Sequence, residues 1–175
     1  MIVAVASVSA SAQDYLTRNG KVKFFSSTPI EDIEAVNNEA VSSLNTKTGD
    51  INFVVAILGF RFDIKDMQNH FNEEDYMHSS KYPKASFKGR ITNLSAVDFT
   101  KNGTYKVTVE GSLTIKDATK PVKTNGTITV NNGKVNAKAD FTVNRKEFNV
   151  VGKSFVQKKI AENIKISVDV NYDKR

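Results

Sequence analysis

Alternation of apolar and polar side chains constrains this chain more than any other feature. Between Thr104 and Lys116 every second residue is apolar or glycine, and the residues between them are polar. A similar two-residue period runs through residues 122–130, 135–143 and 160–172, with Glu162 as an exception in the last run. Successive side chains of a β-strand point to opposite sides, so the pattern predicts strands with one buried and one solvated face.

Short segments rich in asparagine and glycine separate these runs. Asn131-Asn132-Gly133 lies between two of them, and Lys101-Asn102-Gly103 and Thr48-Gly49-Asp50 punctuate the chain in the same way. Asn and Gly accept the positive φ that tight hairpin turns require, so these segments predict antiparallel hairpins. Residues 21–27 and 38–47 are weaker strand candidates.

The stretch from residue 51 to residue 83 departs from the alternation. Residues 51–62 are apolar on both faces, which predicts a strand that is covered on each side. Asp63 can cap a helix, and Ile64, Met67 and Phe71 follow at helical spacing. Tyr82-Pro83 then ends this short helical segment, and the strand pattern resumes.

These elements predict an all-β, antiparallel fold of about eight strands with one short helix. Such a meander must close on itself or pair with a second sheet to avoid open edges, and we expect a closed barrel. A chain of 175 residues fits one domain. An eight-stranded barrel is either filled by side chains or holds one small ligand. The inferred inner face carries several small residues, which leave room for a cavity or fit the barrel's taper: Ala85, Gly89, Gly111, Gly126, Ala137 and Ala139.

Residues 1–12 are apolar, small and uncharged, and they end in Ala10-Ser11-Ala12. This is the apolar core and cleavage pattern of a secretory signal peptide, so we expect a mature domain at 13–175 and a periplasmic or secreted location. The missing positive charge leads us to expect a start upstream of Met1. The alternative is an ordinary buried first strand. The stretch is too short to span a bilayer, and we expect no transmembrane segment.

Charge and cysteine content argue against several classes of function. The formal net charge is +6, but the basic residues are scattered, with no run beyond pairs such as Lys158-Lys159. Nucleic-acid binding needs clustered charge, so we expect none. The chain has no cysteine, which excludes disulfides and zinc-thiolate sites.

The histidines and serines lie in no pattern that predicts catalysis. His70 and Glu74 would share a helical face, but the sequence does not place His78 beside them, and no H-E-x-x-H motif is present. No nucleophile elbow or P-loop is found either. We therefore expect no enzyme activity, no cofactor and no metal site. Glu162 is the best candidate for an inward titratable group, which an enzyme would need.

Four motifs resemble the YceI-like family over essentially the whole mature chain, from about Tyr15 to Tyr172. The motifs are Met67–Asn72, Lys81–Gly89 with its Tyr-Pro-x-Ala-x-Phe, Gly111–Val122 and Asn144–Val150. Asp117 and Asn149 stand where the family usually has Gly, and both residue types tolerate left-handed φ. The family's His-Ser before the first strand is absent here, so no role of that His is transferred.

The resemblance implies an exported, lipocalin-like barrel associated with polyisoprenoid or other amphiphile binding. We therefore expect an isoprenoid or other lipid-like ligand inside the barrel, with the protein as carrier or reservoir. The predicted lining residues are Phe24, Phe53, Phe87, Val107, Val109, Gly111, Leu113, Ile128, Ala137, Ala139, Phe141, Ile164 and Ile166.

Arg145 is the candidate for contact with a headgroup, since the motif places it where a strand leaves the barrel. The alternative for Arg145 is an ion pair with Glu147 or another carboxylate. Two other functions stay open, an enzyme that acts on an amphiphile in the same cavity and a filled, stress-related barrel that binds a partner. The sequence does not decide between a monomer and a homodimer.

Overall fold

The computed structural model describes residues 14–175, whose strands close into one antiparallel barrel in chain order. This confirms the predicted fold class. The elements are β1 (Asp14–Ser27), β2 (Asp32–Asn45), β3 (Asp50–Ala56), α1 (Lys65–Asn72), β4 (Lys84–Ile91), β5 (Gly103–Ile115), β6 (Ala118–Asn131), β7 (Lys134–Asn144) and β8 (Asn163–Lys174).

The long hairpins of the second half follow the alternation read from the sequence. Strands β5 and β6 pair from Gly103↔Val130 to Ile115↔Ala118, and β7 and β8 pair from Val135↔Tyr172 to Asn144↔Asn163. The turn between β6 and β7 has Asn132 at φ 51° and Gly133 at φ 80°, as a tight hairpin requires. The apolar residues of each strand therefore share the inner surface.

The barrel closes where β1 pairs with β8, from Tyr15↔Lys174 to Phe25↔Lys165. Register shifts on both sides of Gly20 interrupt the pairing of β1 with β2. Such irregularities bend a strand, which closure of a barrel requires. Strands β1 and β2 are longer than the weak candidates at 21–27 and 38–47, because their pattern is broken at this irregularity.

The connections of the barrel divide between two ends. Residues 28–31, 57–83, 116–117 and 145–162 join strands at one end, which we call the mouth. Residues 46–49, 92–102 and 132–133 join strands at the other, the closed end. The backbone N–H of Arg175 donates to the Asp14 carbonyl at 2.9 Å, so the described chain starts and stops at the closed end.

Side chains fill the closed end. Buried residues from seven strands meet there, and Leu94, Val97 and Phe99 of the β4–β5 connection pack against them. The buried members are Tyr15, Leu44, Ile91, Val107, Ile128, Val130, Val135, Val170 and Tyr172. This cluster forms the hydrophobic core of the barrel and seals that end.

The prediction of a strand over residues 51–62 that is covered on each side was wrong, both in the strand's length and in its coverage. Strand β3 stops at Ala56, and a 3₁₀ turn, Ile57–Gly59, follows. At the end of the strand the Asn37 side chain donates to the Ala56 carbonyl at 2.9 Å, and the Ile57 N–H donates to the Pro83 carbonyl at 2.9 Å. Val54 lies exposed on the outer wall, so its side of the strand is not covered.

The predicted helix is present as α1, but Asp63 does not cap it. The residue before the first turn is Ile64, and no side chain bonds to the free backbone N–H groups there. Ring contacts hold the helix instead. Phe71 stacks on Phe24 of β1 at 5.3 Å between ring centroids and meets Phe62 at 5.1 Å. Burial of these aromatic rings fixes α1 over the mouth.

Among residues 14–175, no helix is long and apolar enough to cross a bilayer. The predicted signal peptide, residues 1–12, lies outside the described residues.

Candidate functional site

A cavity of about 660 Å³ occupies the barrel above the closed end. It is lined by the inward faces of the strands, and its volume is in the range of about 300–1,000 Å³ typical of sites that bury small organic ligands. On β8 the lining runs from Ile164 to Tyr172. At about 3.3 Å per residue and a strand tilt of about 40°, that length gives a depth of roughly 20 Å.

The structure places twelve of the thirteen predicted lining residues on the cavity wall. The wall residues are Phe24, Phe53, Phe87, Val107, Val109, Leu113, Ile128, Ala137, Ala139, Phe141, Ile164 and Ile166. Gly111 is on the same inward face but does not border the cavity. It pairs with Gly89 across β4 and β5, and the Phe87 ring lies over the pair. Contact of all thirteen residues with a ligand stays a prediction.

Inward side chains in the middle of the cavity keep surface that the fold does not bury. Val107 and Ile128, near the closed end, are 3 % and 2 % exposed. Ala139, Phe141 and Ile166, farther up, are only half-buried although they point inward. Their remaining surface faces the cavity, because no side chain reaches across it. The barrel is therefore not filled, and apolar surface is available to a ligand.

Irregular segments at the mouth supply lining that the alternation did not identify. Ile64, Met67 and Phe71 of the helical region border the cavity, as do Val151 and Val156 of the β7–β8 connection. The spacing of the helical residues predicts one apolar face. It does not say which part of the barrel that face covers, because this depends on contacts distant in sequence.

Arg145 lies at the mouth, 5 % exposed, in the 3₁₀ turn that follows β7. Its guanidinium donates to the carbonyls of Val150 at 2.8 Å, Val151 at 2.6 Å and Ala161 at 2.9 Å. A longer bond of 3.5 Å joins Nη2 to the Ile160 carbonyl. No ion pair links Arg145 to any acidic residue of the described chain, so the expected alternative with Glu147 is wrong.

The charge of Arg145 is thus held by backbone dipoles at the edge of an apolar cavity. Burial lowers the pKa of Arg145, and the charge of Glu162 opposes the shift. Arginine stays protonated in proteins, so this side chain carries a positive charge into the wall. Of its five N–H groups, those on Nη2 are the least engaged, and they can bond to a polar group of a ligand.

A second polar group lies deep in the barrel. The hydroxyls of Tyr172 and Ser42 are 2.7 Å apart, and both residues are buried. Burial raises the pKa of Tyr172 to about 12, although the Ser42 bond acts in the opposite direction. The phenol therefore stays neutral over the physiological range. The alternation placed Tyr172 inward but gave no sign of its partner on β2.

The expectation of an inward Glu162 was wrong. Strand β8 begins at Asn163, so Glu162 lies in the connection before it and is exposed. It accepts hydrogen bonds from Lys146 Nζ and Asn144 Nδ2, each at 3.0 Å. These bonds, that of Lys146 first, lower the pKa of Glu162. The carboxylate is bound to the outer surface and takes no part in the cavity.

The other expectations at the mouth have mixed outcomes. His70 was considered as a partner of Glu74, but its Nε2 lies 3.9 Å from the Oε1 of Glu73. No group of three possible metal ligands is found among residues 14–175. Asn149 has the left-handed φ of 58° that was predicted. In the β5–β6 turn, however, Lys116 at φ 55° is left-handed and Asp117 is not, because the turn's left-handed position falls one residue earlier.

A closed antiparallel barrel with an apolar cavity and one open end defines a lipocalin-like fold. The sequence matches the YceI-like domain over residues 5–172, and the chain belongs to that family. Curated proteins gave no match.

Solved structures share the fold at low sequence identity. A polyisoprenoid binding domain from Saccharophagus degradans, implicated in plant cell wall breakdown, has a TM-score of 0.80 at 9 % identity, covering 94 % of this chain and 99 % of its own. BcnA of Burkholderia cenocepacia has a TM-score of 0.68 at 18 % identity, with coverage of 88 % and 96 %. The YceI protein of Campylobacter jejuni has a TM-score of 0.58 at 16 % identity, with coverage of 78 % and 81 %.

Proposed function

We propose that this protein binds one long apolar or amphiphilic molecule, an isoprenoid or another lipid, in the barrel, and that it is an exported carrier or reservoir. The observation that carries the proposal is the unfilled cavity of about 660 Å³ with its apolar lining. A tail that covers this lining removes apolar surface from water, at a gain of about 25 cal/mol per Å². Family membership and the polyisoprenoid-binding neighbour support the same ligand class.

In this proposal the tail points to the closed end and the polar end stays at the mouth. The buried cluster at the closed end is apolar apart from the hydroxyls of Tyr15 and Tyr172, which bond to the Gly133 carbonyl and to Ser42. Arg145 at the mouth offers the Nη2 hydrogens to a carbonyl, hydroxyl or phosphate oxygen. Apolar contact is non-directional, so the shape of the cavity selects the tail and Arg145 selects the polar end.

The enzyme alternative lost its proposed acid or base when Glu162 proved to lie outside. Of the carboxylates, Glu31 and Asp66 border the cavity, and both lie at the mouth, in the β1–β2 connection and in α1. Binding is therefore the better supported function, and YceI-like domains are not a known enzyme family.

The test compares the natural protein with two variants of β7. Ala139 points into the cavity, and Ala139→Phe fills its middle. Thr142 is exposed on the same strand, so Thr142→Phe adds the same ring outside. Binding is measured by displacement of 1-anilinonaphthalene-8-sulfonate with farnesol and with palmitate, and native mass spectrometry examines protein extracted mildly from its own host.

We expect a co-purifying hydrophobe, and farnesol or palmitate binding that Ala139→Phe weakens at least about tenfold, since the ring takes the volume of the tail. Thr142→Phe should bind within about twofold of the natural protein, because the substituted side chain is on the solvated face. No displacement by either probe, together with no co-purifying hydrophobe, would overturn the proposal.

A further inference from the structure

The exposed apolar side chains of the barrel concentrate at the mouth. Of seven large exposed hydrophobic residues in the described chain, five lie on the connections there. These five, which we call the rim, are Ile30, Leu58, Ile64, Val151 and Phe155. The other two, Val41 and Val54, pair with each other across β2 and β3 on the outer wall. Apolar surface gathered at one end marks an interaction site better than scattered residues do.

The rim is continuous with the cavity. Ile64 and Val151 border the cavity and are also 54 % and 42 % exposed, so apolar surface runs from the inside of the barrel to the outside. Phe155 is the most exposed of the five, at 77 %, and it is next to Val156, which borders the cavity. Packing within the described barrel does not explain why an aromatic ring is exposed to water at this point.

The segment that carries Phe155 is basic. Residues 150–161 contain Lys153, Lys158 and Lys159 and no acidic residue. Lys153 is paired with Glu73 at 3.2 Å, whereas Lys158 and Lys159 have no ion-pair partner among residues 14–175. Segments that lie in an anionic membrane interface typically combine unpaired lysines with an exposed aromatic residue, as this one does.

We propose that the mouth docks on an anionic phospholipid bilayer through the 3₁₀ turn Ser154–Lys159, with Phe155 and Val151 in the interface and Lys158 and Lys159 on lipid phosphates. The inference rests on the proposed function, because docking lets an apolar molecule pass between bilayer and cavity without crossing water. Acidic residues at the other connections, such as Glu31 and Asp66, are repelled by the same surface, so the barrel docks tilted, with Ser154–Lys159 leading.

The test is co-sedimentation of the full chain with vesicles, either of phosphatidylcholine alone or of phosphatidylcholine and phosphatidylglycerol in equal amounts. Phe155→Ser and Lys158→Gln alter the rim, and neither residue borders the cavity. The matched controls are Val54→Ser on the outer wall and Lys134→Gln at the closed end, which likewise lacks an ion pair in the described chain.

We expect the natural protein to bind the anionic vesicles and to be released by salt. Phe155→Ser should weaken binding about tenfold through lost apolar contact. Lys158→Gln should weaken it roughly fivefold, on anionic vesicles only. Both controls should stay within about twofold of the natural protein.

Two results would overturn the docking proposal: failure of the natural protein to bind the anionic vesicles, or equal losses in the rim variants and their controls. Displacement of the fluorescent probe by farnesol is measured on every variant. Farnesol binding without vesicle binding refutes docking and leaves the carrier function standing. If the natural protein binds neither farnesol nor palmitate and carries no co-purifying hydrophobe, the carrier function itself is refuted.

Discussion

Replacement of Arg145 by methionine tests whether one buried cation holds the β7–β8 connection in place. The side chain keeps a similar length in Arg145→Met but loses every donor. Three carbonyl oxygens, those of Val150, Val151 and Ala161, lose a partner at 2.6–2.9 Å. Hydrogen bonds to a charged group contribute about 1.5–3 kcal/mol each to stability.

The loss in Arg145→Met should be smaller than the sum of three such bonds. Val151 is 42 % exposed, so its carbonyl can bond to water instead. The variant also no longer removes a guanidinium from water, which offsets part of the cost. We therefore expect the free energy of unfolding to fall by about 3 kcal/mol, within the range for loss of one member of a buried polar network.

Urea unfolding measures this change through its midpoint. At a slope of about 2 kcal/mol per molar urea, the Arg145→Met midpoint should fall by about 1.5 M. The matched control is Lys146→Met at the next position, whose solvent-exposed Nζ–Glu162 pair at 3.0 Å should contribute little to stability. A loss below about 1 kcal/mol in Arg145→Met, or one equal to that of the control, would refute a holding role for Arg145.

Two further predictions concern Tyr172 and Gly111. The pKa of Tyr172 is raised to about 12 by burial, so its contribution to stability is complete below the ordinary tyrosine pKa of about 10 and is lost as the pH rises through 12. At pH 8, Tyr172→Phe should be about 1 kcal/mol less stable than the natural protein, because it loses the bond to Ser42. This difference should vanish near pH 11, where ionisation of Tyr172 costs the natural protein about 1.4 kcal/mol of stability. A difference between the two urea midpoints that stays constant with pH would contradict this. In Gly111→Ala the new Cβ would lie 2.5 Å from the Gly89 Cα and 2.6 Å from the Phe87 ring, so we expect a loss of about 1–3 kcal/mol in urea unfolding. Gly103→Ala on the same strand meets nothing closer than 3.4 Å and should change stability by less than about 0.5 kcal/mol; equal effects of the two substitutions would mean that β4 and β5 can separate there without cost.

The barrel could be predicted because its second half is locally consistent. Residues 104–116 alternate without interruption, and the turn at Asn132 and Gly133 fixes the register of its hairpin. A register shift by one residue would turn each apolar row to solvent, so the pattern determines which side chains face inward. That is why twelve of the thirteen predicted residues border the cavity.

Other parts of the site depend on contacts that no local pattern encodes. Gly111 shares the inward face, but the Phe87 ring from the neighbouring strand covers it. The carbonyls that bind Arg145 belong to the irregular β7–β8 connection. They are backbone groups, so the identities of the side chains do not reveal them. Glu162 falls at a position that the alternation places on the inward face. The strand begins one residue later, however, and an ion pair holds the carboxylate outside.

The closed end of the barrel has a consequence for which molecules fit. Since Val130, Val135 and their neighbours seal it, a molecule has one way in and must leave by the same way, with its polar end first. Because the cavity is closed at one end, its depth selects the length of the tail that fits. A tail that is too short leaves part of the lining wet, and one that is too long carries its polar end past Arg145 into solvent.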